Sequence, residues 1–112
     1  MTDAELQDLS RRAAGCLPKV VKGIETEPPT LDGRYLHPYG YRPWLHESTE
    51  ACTEIMVRVL WDAGKRLIGG MEGVWSINSH KYLAMYRDFD MDKMLAYRVA
   101  ILKALIALKE GK

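Results

Sequence analysis

DMDKMLAYRVAILKALIALK, residues 90 to 109, decides the fold. Its spacing predicts a helix capped by Asp90 and running over 91–108. Met94, Leu95, Tyr97, Val99, Ile101, Leu102, Leu105, Ile106 and Leu108 would cover well over half of its circumference. Ala96, Ala100, Ala104 and Ala107 line the remainder together with Asp92 and Lys103. A surface helix keeps a polar side, whereas both sides of this one are built to pack closely. Arg98 is the exception, because its angle falls in the middle of the large apolar arc. A guanidinium there must snorkel to solvent or find a partner, since burying it alone is costly. Arg98 is therefore either a structural tie to a neighbouring loop or a candidate anion-binding residue.

Working back along the chain, MEGVWSI (71–77) and KYLAMYRDF (81–89) alternate residue by residue and predict a β-hairpin over 71–88. Trp75 and Ile77 would share one side and Val74 and Ser76 the other; Tyr82, Ala84 and Tyr86 face one way in the return strand. Asn78-Ser79-His80 makes the turn, and Arg66 to Ile68 is a candidate third strand. Residues 49–63 predict a helix capped by Ser48 or Thr49 and stopped by Gly64. Its buried face is Cys52, Ile55, Met56, Val59, Leu60 and Ala63; Val57 and Trp61 lie opposite, four apart. An exposed tryptophan beside a valine is either an ordinary surface pair or a patch that meets a partner or a second subunit.

A first helix is expected over 3–17, from the capping box of Thr2 and Glu5 to a stop at Pro18, with Leu6, Leu9, Ala13, Cys16 and Leu17 on its apolar face. Between it and the second helix, residues 18–47 hold all five prolines and no helical period. GIETEPPTLDG (23–33) reads as an exposed acidic loop, with a weak strand signal at Arg34 to Leu36. Together these pieces predict a single α+β domain over 1–112: a small antiparallel sheet packed with three helices, as an α/β/α-type sandwich.

Length and composition agree. A chain of 112 residues, 47% hydrophobic and 28% charged, is long enough to bury a core without metal or disulfide staples. The net charge of +1 argues against a protein living on phosphate-backbone contacts, although it leaves room for a local patch. Cys16 and Cys52 read as buried free thiols, with a disulfide as the lesser alternative. MTDAELQDLS has no basic start followed by an apolar run, and no window resembles a membrane span, so a cytoplasmic location is expected.

The order of DLSRRAAGCL, the Pro-rich loop, HESTEACTEIMVRVL, the hairpin and LAYRVAILKAL resembles the phage ABA-sandwich domain, a family of bacteriophage and prophage proteins. The resemblance implies a helix–sheet–helix architecture and a viral origin. It carries over no catalytic residue.

Catalytic motifs are weak throughout. His37, His46, Glu47 and Glu50 lack the spacing of a zinc site, and the histidines read as surface residues of an aromatic loop. Cys52 falls on a buried face, and no serine lies in a GxSxG setting. Asp88 and Asp90 form a conceivable magnesium pair, but helix capping explains Asp90 and Asp92 more simply. GRYLHPYGYRPWLHEST (33–49) has the composition of a recognition surface, with Tyr39, Tyr41, Arg42 and Trp44 as candidate contacts. The alternative is that Pro38 and Pro43 stiffen a loop whose aromatics cap the sheet. The leading expectation is a non-enzymatic phage protein without cofactor that binds a host protein or complex in the host cytoplasm, as an anti-CRISPR counter-defence inhibitor would. It would use Tyr39, Tyr41, Arg42, Trp44, Val57 and Trp61, and it could form a homodimer. Second comes sequestration of a small anionic nucleotide by Arg98 or Arg42 with stacking aromatics. Third is a metal-dependent phosphoryl hydrolase using Asp88, Asp90 and His37.

Overall fold

A computed structural model describes residues 1–17 and 30–111. The expected stop at Pro18 and the acidic loop through Pro29 lie outside the described residues. The elements are α1 (Asp3–Ala14), β1 (Thr30–Leu31), β2 (Arg34–Tyr35), α2 (Thr49–Ile55), β3 (Leu67–Gly69), β4 (Gly73–Ser76), β5 (Lys81–Met85) and α3 (Lys93–Lys109). The class is α+β, with β1–β2 and β3–β4–β5 as separate antiparallel sheets.

α3 is the hub. α1, α2 and the larger sheet all pack against it, and Val99, Ala100, Leu102 and Leu105 are buried along its length. The alanines belong to this packing, since Ala96 and Ala100 have no exposed surface. The long helix is thus enclosed from several sides, whereas the sheet uses one face only. Its outer face carries the exposed Ile68 and Tyr82 with half-buried Trp75 between them.

α3 starts later than Asp90. A 3₁₀ turn, Tyr86–Phe89, is followed by Asp90 and Met91 at φ 52° and 64°, which reverses the chain. Asp92 then caps the helix, its side chain accepting from the Leu95 amide at 3.0 Å. α1 begins with the expected capping box of Thr2 and Glu5, but ends at Ala14 rather than residue 17, with buried Leu17 beyond it. Ser48 caps α2, accepting from Ala51. A π-helical turn, Met56–Leu60, follows, closed by the Trp61 amide on the Met56 carbonyl. The chain leaves the helix there and turns at Gly64, φ 76°, so Ala63 is exposed instead of buried.

In the hairpin the alternation breaks. Val74 pairs with Ala84 but Trp75 pairs with Tyr82, so a bulge at Leu83 puts Tyr82 and Ala84 on opposite faces rather than the same one. The Trp75 and Tyr82 rings meet edge to face at 5.0 Å. The carbonyl of bulged Leu83 accepts from Lys103 Nζ at 3.0 Å, which explains a lysine on the packed side of α3. No described helix is long and apolar enough to cross a membrane.

Candidate functional site

Residues 33–45, expected to be an irregular loop, fold into a narrow two-stranded ribbon. Leu45 N–H donates to Gly33 (2.9 Å), Tyr35 N–H to Pro43 (2.7 Å) and His37 N–H to Tyr41 (3.1 Å), closing a turn at Pro38–Tyr39–Gly40. β2 also pairs with β1 through a two-residue turn, Asp32 and Gly33, at φ 52° and 85°. That is a hairpin turn of the kind Asp-Gly favours. Asp32-Gly33 between Thr-Leu and Arg-Tyr was therefore a readable hairpin signal inside what looked like an acidic loop.

The base of the ribbon is where the helices meet. Ser10, wholly buried on α1, accepts from the His46 amide at 3.1 Å and bonds His46 Nδ1 at 2.8 Å. Which of the two atoms donates that bond is set by the histidine tautomer. Cys52 of α2 donates its thiol to the Leu45 carbonyl at 3.1 Å. Arg98 of α3 donates Nε–H to the His46 carbonyl at 2.8 Å and Nη1–H to Thr49 Oγ1 at 3.1 Å. Arg98 therefore ties helix to loop. His46 is buried, not a surface histidine, and its partner Ser10 was missed because it lies 36 positions away on the apolar side of α1.

Burial is the main reason His46 is held below its ordinary pKa; nearby Glu47 opposes that shift, and Arg98 adds to it. Burial also pushes the Cys52 thiol up to about 12, which removes it as a nucleophile near neutral pH. The Ser10–His46 pair resembles half of a hydrolytic triad, but a serine with no exposed surface has no path to a substrate.

Toward the tip, His37 sits among three tyrosine rings, with centroids 5.8 Å away for Tyr35, 5.4 Å for Tyr39 and 5.2 Å for Tyr41. Its Nδ1 accepts from the Tyr39 amide at 3.1 Å, and Nε2 meets Glu50 at 3.0 Å. Glu50 also accepts from the Tyr35 hydroxyl at 3.4 Å. Among the described residues, no three His, Cys, Asp or Glu side chains are grouped as metal ligands would be, and His37 and Asp88 belong to separate elements.

The sequence candidates now separate. Tyr39 and Tyr41 are 85% and 67% exposed at the ribbon tip, and Arg42 is exposed beside them. Trp44 is half-buried, with the guanidinium of Arg34 4.3 Å and that of Arg11 4.9 Å from its ring centre. Val57 lies in the π-helical turn after α2 and Trp61 at its end, 44% and 42% exposed, with Arg66 over the Trp61 ring at 5.3 Å. The ribbon brings Tyr39, Tyr41, Arg42 and Trp44 into one element; Val57 and Trp61 belong to another.

No protein-family model, curated protein or solved structure matches this chain.

Proposed function

We propose that this protein works by binding a macromolecular partner through the tip of the 33–45 ribbon, not by catalysing a reaction. The observation that carries the reading is the pair of exposed tyrosines, Tyr39 and Tyr41, on a turn already fixed by backbone hydrogen bonds and by His37. Large rings on a pre-ordered turn lose little freedom when they dock, which is how recognition loops gain affinity. The buried state of Ser10 and the high pKa of Cys52 support the non-catalytic half of the proposal.

The partner class we assign is a host protein or protein complex, encountered in the cytoplasm of a bacterial host by a protein of phage origin. Blocking a defence complex, as an anti-CRISPR does, is the form of action that fits a small contact protein. Val57 and Trp61 supply a second candidate contact, to the same partner or to a second copy of this chain.

Capture from bacterial lysate, with mass-spectrometric identification, tests the reading. Wild-type protein should retain a defined partner that Tyr39→Ala/Tyr41→Ala loses while keeping its circular dichroism and melting temperature. Equal capture by both proteins would remove the tip from the reading. Light scattering of wild type and Trp61→Ala tests whether the second contact forms a homodimer.

A further inference from the structure

Beneath the tip, on the side facing α1, a cleft of about 610 Å³ gathers Arg11, Arg34 and Arg42 around Trp44. Arg34 and Arg11 lie over the indole, a contact that steadies a guanidinium while leaving its N–H edge available. Arg34 gives one N–H to the Arg42 carbonyl at 2.8 Å, and Arg42 one to the Tyr41 carbonyl at 3.0 Å. Each guanidinium has five donors, so most remain unspent. No carboxylate among the described residues pairs with any of the three. Among the described residues Asp32 is the one acidic side chain lining the cleft, set against three positive charges. In a protein of net charge +1 this is a local concentration of charge. Among the described residues it is held in place without the carboxylate partners that surface arginines usually find.

The rest of the lining is apolar. Leu31, exposed on β1, and half-buried Leu36 face the same cleft. A ligand matching both parts carries phosphate at one end and a flat apolar body at the other. Guanidinium forks match phosphate oxygens two at a time, and a cleft of this size is within the range that holds small ligands. An extended nucleic acid would need a basic surface continuing beyond the cleft, which the near-neutral chain does not supply. We infer that this cleft binds a nucleoside diphosphate or a similar nucleotide, its phosphates on Arg11, Arg34 and Arg42 and its base against Leu31 and Leu36. Tyr39 and Tyr41 do not line the cleft, so this site and the tip contact stand or fall separately.

Isothermal titration of the full chain with ADP, GDP, pyrophosphate and a hexaglutamate peptide tests the inference. A nucleoside diphosphate should give saturable heat, tighter than pyrophosphate and weakening with added salt. Arg42→Gln should weaken it about tenfold, the worth of one charge-assisted contact. Leu31→Glu places a carboxylate in the cleft from an exposed position and should reduce binding at least as far. Tyr39→Ala/Tyr41→Ala should bind as wild type does. Thermal melts confirm that each variant is folded. No saturable heat from ADP or GDP, pyrophosphate binding as tightly as the nucleotides, hexaglutamate binding more tightly, or unchanged affinity in both cleft variants would each overturn the inference.

Discussion

At the base of the ribbon, Leu45 and His46 are buried and bound by side chains from α1, α2 and α3, whereas at the tip Tyr39 and Tyr41 stand largely in solvent. The two ends also treat histidine differently. His46 bonds to a wholly buried serine, while half-buried His37 meets a solvent-facing glutamate. A recognition element gains from this division. The base spends its polar groups on holding position, which frees the tip to present side chains that contribute little to folding. If that is correct, equivalent changes at the two ends should have very unequal effects on stability.

The sharpest version uses the two ribbon glycines, both in the left-handed region. At Gly33, φ 85°, an added Cβ would lie 2.8 Å from the Arg11 amide nitrogen, against the backbone of α1. At Gly40, φ 93°, it would meet nothing within 4 Å. Gly33→Ala should therefore cost about 3 to 5 kcal/mol, combining backbone strain with a clash that a flexible side chain cannot relieve. Gly40→Ala should cost only the backbone preference, about 1 kcal/mol. Urea denaturation of the two variants checks the difference, and comparable losses would mean that the base is not the rigid end.

Ser10→Ala should come next, at about 2 to 3 kcal/mol, because it leaves the buried His46 amide and Nδ1 without their partner. The same histidine sets a pH dependence. Its pKa is lowered on folding from an ordinary value of 6.5, so below that value the unfolded chain binds the proton more readily than the folded one. The stability it contributes is complete above about pH 7 and is lost as pH falls through the ordinary value toward the lower folded one. Wild-type melting temperature should drop between pH 7.5 and 5.5. His46→Gln, less stable throughout, should follow a flatter profile; parallel profiles would show that another group is responsible.

What could be read in advance follows the same division between local and distant causes. Ser48 and the Thr2–Glu5 box were legible because a helix start is a contact between near neighbours. The crowded circumference of α3 was legible because its period runs for several turns. Asp90 and Asp92 are both good caps, and only the two left-handed residues before Asp92 decide between them. The bulge at Leu83 left no mark in an unbroken alternation, since what it satisfies is a lysine on another element. The ribbon was hidden by its prolines, which removed the expectation of strand pairing, although Pro43 needs only its carbonyl to join. Tyr39, Tyr41, Arg42 and Trp44 were picked for composition. That could not show that Trp44 is stacked with arginines while the tyrosines are largely exposed.

The smallest expected effect on stability is the most informative about function. Tyr39→Ala/Tyr41→Ala removes two rings that are 85% and 67% exposed, so its unfolding free energy should stay within about 0.5 kcal/mol of wild type. Part of each ring does touch His37, at 5.4 and 5.2 Å between centroids, but the His37 bond to residue 39 is to its backbone amide and survives the substitution. A larger loss would mean that the rings brace the turn. The tip would then be a structural cap, and its tyrosines would owe their presence to folding. No loss would leave two large aromatic side chains with no role in the fold, and a partner as the physical reason for keeping them in water.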